Sequence, residues 1–405
     1  MTDRSRGAAE FDLIDRIRAR VLQRDDVILG IGDDAAVLQV PAGRLLVVAT
    51  DTLNAGVHFP PATAPADIGW KALAVNLSDL AAMGAQPAWC TLSLSLPVAD
   101  EEWVDGFLDG FLGLAARHGV ALVGGDTTRG PLSIGVTVHG FIDPGRALRR
   151  DGARVGDEVW VSGTLGDAAG ALALWRRLPG HDAAPAQGAV IDAGERQDAV
   201  ATGRNQRNAL GEQGADDDAE FAASLPPRSA GQTSSEASDG GWPALRPRLD
   251  RPTPRVATGL ALVGLAHAAI DLSDGLLADL GHVCRASVVA AELQLESLPT
   301  SSALRDAFAP ARRHALQAAG GDDYELCFTA PSTARAAIDG IAIVTGVALT
   351  RIGRIVAGRG VRVFDDRGAA WQPARAGYVH FAEQRVEPQQ PGQARDRASV
   401  RLRTR

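Results

Sequence analysis

Five short apolar runs in this chain each end in an aspartate accompanied by glycine, serine or threonine. They read GIGDDAAV (Asp33, Asp34), VVATDT (Asp51), LAVNLSDLAAMGA (Asp79), LVGGDTT (Asp126) and AAIDLSDG (Asp271, Asp274). A carboxylate in apolar surroundings is costly unless a cation or a hydrogen bond compensates it. Magnesium takes hard oxygen ligands, typically one or two carboxylates completed by substrate phosphates. Aspartates at strand ends, with glycine allowing close backbone approach, suit that role. Asp271 and Asp274 flank an expected strand-to-helix turn, where the helix N-terminus itself attracts phosphate.

Each aspartate also has a structural reading. Asp67 starts a helix and is read as its cap, and Asp33 and Asp34 after Gly-Ile-Gly fit an ordinary turn. Asp79 resists that treatment, because it lies mid-helix between Leu77 and Leu80. Lys71, eight residues earlier on the same face, offers it an intrahelical network. His58 follows Asp51 in a loop-like segment, as a site residue or a packed one. Gly124-Gly125 and Gly320-Gly321 offer loop N–H groups to a ligand, or are plain turns.

Other chemistries lack their residues. Lys71 is the only lysine and follows Trp70, so the Gly-Lys-Ser/Thr of a phosphate-binding Walker loop is excluded. Cys90, Cys284 and Cys327 have no zinc-ligand spacing and are expected as small, reduced, buried residues. No G-x-S-x-G elbow marks a hydrolase serine. Gly30-Ile31-Gly32 runs into Asp33 and Asp34, which fits acid ligation better than a dinucleotide fingerprint.

The elements that must position these residues alternate along 405 residues, a length of two to three domains. Strands are expected at Leu45–Thr50, Ala88–Leu96, Leu122–Val123, Leu132–Ile142, Glu158–Ser162, 268–270, 288–295 and 323–329. Helices are expected at Asp67–Met83, Glu101–Arg117, Gly166–Arg177, Pro254–Leu265, 275–285 and near 332–339, with a hairpin-like stretch from Ile341 to Phe364. The pattern is α+β, with an N-terminal half (1–150) and a C-terminal half (151–385). About 179–241 reads as a disordered insertion, with eleven acidic residues against four arginines and no apolar periodicity. The last twenty residues, 386–405, carry five arginines and two acids and read as a disordered basic tail. Without these segments the net charge of −8 becomes mildly acidic, which gives no nucleic-acid surface. The start of the chain lacks a signal-peptide pattern and no run reaches the ~20 apolar residues of a membrane span, so a cytoplasmic protein is expected.

At GIGDDAAV, TDTLNAGVHF, KALAVNLSDLAAMGAQPAW, GGDTTRGPLSIGVTVHGF, AIDLSDGLLADLGH and GGDDYELCF the chain closely resembles the thiamine-monophosphate kinases. They belong to the aminoimidazole ribonucleotide synthetase-like superfamily. The resemblance implies a homodimer of two-domain subunits whose N-terminal strands form a barrel across the dimer. It implies magnesium at Asp34, Thr50, Asp51, Asp79, Asp126, Asp271 and Asp274. It implies ATP contacts at Gly125, Asp126, Arg150 and Ser273, and thiamine monophosphate at His58, Asp322 and Tyr378. Ala49 and Asp322 depart from the family pattern, which has Ser or Thr and Glu there. The implied reaction transfers a phosphoryl group from ATP directly to the acceptor phosphate, with no general base. The alternatives are another ATP-dependent enzyme of the superfamily or a catalytically silent nucleotide-binding homologue. A selenophosphate synthetase would be expected to carry a reactive cysteine near its start, and a hydrogenase-maturation relative to end in one.

Overall fold

The computed structural model describes residues 14–177, 241–374 and 377. The expected insertion short of Gly241, the basic tail and Tyr378 lie outside the described residues.

The N-terminal half begins with a small antiparallel pair, β1 (Val27–Leu29) and β2 (Val37–Leu38). It continues as β3 (Leu45–Asn54), α1 (Pro65–Ala82), β4 (Gln86–Leu96), α2 (Glu101–His118), β5 (Ala121–Arg129) and β6 (Ser133–Ile142). The four long strands form one mixed sheet in the order β3-β6-β4-β5, parallel only between β4 and β5. Helix α2 has its ends written locally. Asp100 accepts from the N–H groups of Glu102 and Trp103, Arg117 and His118 occupy the last turn, and Gly119 stops it at φ 63°. Helix α1 is buried on nearly all sides, so its polar residues Lys71 and Asn76 need partners inside the protein. The two helices cross closely because Gly69 and Gly110 leave room. A Cβ on Gly69 would lie 2.0 Å from the Phe107 carbonyl, and one on Gly110 1.7 Å from that of Ala66.

The C-terminal half contains β7 (Glu158–Ser162), α3 (Asp167–Trp175), α4 (Gly241–Asp250), α5 (Val256–Leu262), β8 (Ala268–Asp271), α6 (Leu276–Ser287) and β9 (Ala290–Gln294). It ends with α7 (Ser302–Ala307), α8 (Pro310–Ala319), β10 (Leu326–Ala330), α9 (Arg335–Thr345), β11 (Leu349–Val356), β12 (Gly360–Phe364) and β13 (Ala370–Trp371). Its seven-stranded sheet runs β13-β12-β9-β11-β7-β10-β8. The main core crosses the junction: Leu73 and Leu77 of α1 share a cluster with Trp160, Val256 and Phe328. The α1–α5 contact is close enough that a Cβ on Gly259 would lie 2.0 Å from the Ala81 carbonyl. Burial on this scale sets the two halves in a fixed relation across which a site can be built. Among the described residues no helix is long and apolar enough to cross a membrane.

Several expected elements are redrawn. β3 continues past Thr50 to Asn54, and β5 runs to Arg129 where only Leu122–Val123 was expected. Asp51 and Asp126 therefore sit within strands, and Gly124-Gly125 is strand rather than loop. The cause is the ladder, which pairs Thr91–Leu96 with Gly124–Arg129 and overrides the turn preference of the glycines. Asp67 does not cap α1; Ala64 holds the cap position with Pro65 opening the helix, and Asp67 pairs with Arg251. The helix expected from Pro254 is shorter, and α4, α7 and α8 were not anticipated. The 341–364 stretch is no hairpin, since its first residues belong to α9 and β9 lies between β11 and β12.

The chain leaves α3 and returns to α4 at adjacent points: a Cβ on Gly241 would lie 3.3 Å from Leu174 Cδ1. Excising 183–240 is thus expected to leave kcat/KM within about twofold and the fold at least as stable, because the two ends it joins already lie close together. Denaturant unfolding and steady-state kinetics of the shortened chain check this, and loss of folding would make the excised segment structural.

Candidate active site

The junction between the halves gathers carboxylates from four places in the sequence. Asp51 comes from mid-β3, Asp79 from the last turn of α1, Asp271 from the end of β8, and Asp274 from the turn before α6. Their proximity is read in their acidities. Burial, then the negative charges of Asp271 and Asp51, push the Asp79 carboxyl up to about 8, against the opposing charge of Arg150. Burial and then Asp51 raise Asp271 to about 6, again opposed by Arg150. Asp51 is raised by burial and by Asp274. Each of these side chains would ionise more readily beside a cation.

Two residues that sequence reasoning missed hold this cluster. Asn76 is fully buried in α1, and its side-chain oxygen accepts the Asp51 N–H at 3.0 Å while its amide donates to the Ala72 carbonyl at 2.9 Å. It ties the edge strand β3 to the helix that carries Asp79. Asp279 in α6 accepts the N–H groups of Asp274 and Gly275, both at 3.1 Å. Burial and the charges of Asp271 and Asp274 raise its carboxyl to about 7. The available signal for Asn76 was an amide in an otherwise apolar helix; for Asp279 it was a further acid five residues beyond Asp274.

The loop before β10 runs against the β8–α6 turn. Asp322 N–H donates to the Ser273 carbonyl, Tyr324 N–H to that of Leu272, and Leu272 N–H to that of Glu325, each at 2.8 Å. Gly321 permits this approach, since a Cβ there would meet the Ser273 carbonyl at 2.6 Å. Asp322 and Tyr324 both adopt positive φ, 68° and 48°, a backbone cost that functional loops often carry. Ser273 and Asp322 are thereby brought together. His58 turns back on β3, its Nδ1 accepting the Asn54 N–H at 2.9 Å.

Of the remaining expected residues, Arg150 stands beside the cluster, and the others lie apart from it. Thr50 projects to the face of β3 opposite Asp51, as strand alternation requires, and hydrogen-bonds the Val136 carbonyl and Thr137. With Gly125, Asp126, Ser93, Gly135 and Thr137 it lines a polar groove of about 420 Å³ on the sheet. Gly125 is demanded by the sheet itself, having φ 151° and no room for a Cβ, which would lie 1.8 Å from the Leu92 carbonyl. Asp34 is exposed, its N–H donating to the Asp33 side chain. Arg150 is exposed at the junction.

The donor set is all oxygen, and it suits a hard divalent cation. Among the described residues no three acidic, histidine or cysteine side chains form a ready-made cage.

The model for the AIR synthase related protein N-terminal domain matches residues 32–142, and that for the C-terminal domain matches residues 226–366. Thiamine-monophosphate kinase of Escherichia coli O157:H7 is 42% identical over 92% of this chain and 98% of its own length. The crystal structure of thiamine-monophosphate kinase from Stenotrophomonas maltophilia K279a is 52% identical, with a TM-score of 0.70 over 88% of this chain and 96% of that one. AaThiL complexed with AMPPCP and TMP is 30% identical, with a TM-score of 0.61 over 94% of this chain and 100% of that one.

Proposed function

The chain belongs to the thiamine-monophosphate kinase family of AIR synthase related proteins, and we propose that it transfers the γ-phosphoryl group of ATP to thiamine monophosphate, giving thiamine diphosphate. The observation that carries this reading is the carboxylate cluster at the junction, built by both halves and flanked by the paired loops of Ser273 and Asp322. A relative of the same fold binds AMPPCP, an ATP analogue, together with TMP.

The acceptor is a phosphomonoester with a second pKa near 6, so its oxygen is already nucleophilic at neutral pH. No side chain has to remove a proton from it. The obstacle is the repulsion between two anions, which this chain meets by positioning them rather than by offering a nucleophile of its own. Asp51, Asp79, Asp271 and Asp274 would hold Mg²⁺ at the junction, whereas Thr50 and Asp126, in the separate sheet groove, and Asp34, between β1 and β2, would serve a further ion. When bound, Mg²⁺ supplies the positive charge that lets two phosphates approach. Arg150 adds a cation at the junction, and with Gly125, Asp126 and Ser273 it contacts ATP. His58, Asp322 and Tyr378 contact the acceptor. The cysteines do not compete for a role: Cys90, Cys284 and Cys327 are all buried, and burial pushes each thiol up, Cys284 to about 11. That disfavours the superfamily chemistries that need a reactive thiol.

We place the division between the halves near Arg150, between the last strand of the first sheet and the first of the second, and read the protein as cytoplasmic. A homodimer barrel is supported by the edge position of β3 and by exposed Leu46 and Val48 on one face of it, an apolar strip that a second sheet would cover. A monomeric mass by light scattering would remove the dimer.

Incubation with ATP, Mg²⁺ and thiamine monophosphate should yield thiamine diphosphate. Absence of that product from folded protein would overturn the assignment. Direct transfer predicts inversion at a chiral γ-phosphorus, and net retention would establish a phosphoenzyme instead.

A further inference from the structure

Lys71 lies within the two-turn stretch of α1 that leads to Asp79, yet it does not reach Asp79. Its side chain is 2% exposed, and a buried lysine persists only where its charge is met. The ammonium donates to the Asp322 carboxylate at 2.9 Å and to the His58 main-chain carbonyl at 2.9 Å. The Tyr324 hydroxyl donates to the other Asp322 oxygen at 3.2 Å. His58 belongs to the N-terminal half and Asp322 to the C-terminal half, 264 positions along the chain from one another by their numbers. One buried cation therefore fixes both residues assigned above to the acceptor among those described.

We infer that Lys71 is a positioning residue for the acceptor: its ammonium sets the His58 main chain and the Asp322 carboxylate relative to each other across the junction. The inference rests on the acceptor assignment made above. It gives Asp322 a definite state. Its two oxygens are oriented by Lys71 and Tyr324, and with 30% of the side chain exposed the carboxylate still presents lone pairs to a ligand. It also accounts for the tolerated backbone cost at Asp322 and Tyr324, since the ion pair and the hydroxyl bond hold the loop in that conformation. The bonds of the Lys71 ammonium are directed at Asp322 and the His58 main chain rather than at the carboxylate cluster, so its loss should be felt by the acceptor more than by ATP.

The test uses Lys71→Met, which keeps the length and apolar stem of the side chain, with Asp322→Asn and the double variant. For Lys71→Met the KM for thiamine monophosphate should rise about 10- to 100-fold, while kcat and the KM for ATP stay within about threefold. The double variant should be no worse than the more impaired single one, because both changes break the same tie. A merely structural role would depress kcat and both KM values together, and a folded Lys71→Met with an unchanged acceptor KM overturns the inference. Additive effects in the double variant overturn it too. If Lys71→Met fails to fold, Asp322→Asn carries the same kinetic readout from a partly exposed position, and an unchanged acceptor KM there has the same consequence. Should the unaltered protein make no thiamine diphosphate, the functional assignment fails separately. The tie is then decided by a double-mutant cycle on unfolding of the ligand-free chain, where coupling of at least about tenfold in the unfolding constant is expected and no coupling overturns it.

Discussion

Asp79→Asn is expected to abolish turnover while leaving the metal-free protein as stable as before, or more so. The carboxyl of Asp79 sits at about 8 because burial and the charges of Asp271 and Asp51 outweigh Arg150. An aspartate in the unfolded chain titrates near 3.9. Between these limits the native state keeps a proton that the unfolded state releases, so this group's contribution is fully present below about pH 4 and is lost as pH rises through about 8. Asparagine cannot ionise and escapes that loss. In chelator the variant should therefore match the parent at or below about pH 4 and surpass it by a growing margin as pH rises to about 8, measured by denaturant unfolding. Turnover should fall by roughly 10³-fold or more, the scale of several kcal/mol attached to losing a metal's charge at a transferring phosphoryl group. A second readout needs no catalysis: at ~100 times its dissociation constant a ligand stabilises by about 2.7 kcal/mol, and Mg²⁺ should give the parent a larger shift than the variant. Near-normal kcat at saturating Mg²⁺ would remove Asp79 from the metal site.

The sequence made Asp79 conspicuous because an ionisable side chain falls between Leu77 and Leu80 in an apolar stretch of helix, a purely local contradiction. Asp271 and Asp274 were legible for a similar reason, lying at the start of a helix. What local pattern hides is pairing over distance. Gly124-Gly125 has the composition of a turn, and only the β4 partner strand turns it into strand and moves Asp126 to mid-element. Asp67 has the composition of a cap, but its partner is Arg251. Lys71 looked like Asp79's partner because they share a helix, whereas Asp322 is 251 residues away. Helix α4 was obscured by its own prolines, Pro243 and Pro247. It forms because Leu245 and Leu249 bury against Ala168, Ala171 and Leu174 of α3, tertiary packing that outweighs poor propensity.

The other large effect is expected at Glu325, three residues beyond Asp322 and fully buried. Its carboxylate accepts from Arg255 at 2.6 and 2.5 Å, from Arg248 at 2.7 Å and from the Ser162 hydroxyl at 2.6 Å. These bonds anchor the segments around α4 and α5 to the strand start that sets the Asp322 loop. Glu325→Gln keeps the shape and removes the charge, leaving two largely buried guanidinium groups without their shared partner. Breaking a buried pair from one side costs about 3–5 kcal/mol, against a total stability of roughly 5–15 kcal/mol for a typical fold. The midpoint of thermal unfolding should fall by about 10 °C. Arg354→Ala is the contrasting case, because that arginine is 70% exposed in its pair with Glu292 and exposed pairs contribute only ~0–1 kcal/mol. If both variants shift stability equally, the Glu325 network has been overvalued. The cost at Glu325 should also be mostly that of stranded positive charge rather than of lost attraction. A triple variant, Glu325→Gln with Arg248→Met and Arg255→Met, should recover much of the stability that Glu325→Gln loses. A triple variant weaker than the single would show that the ion pairs themselves stabilise the junction.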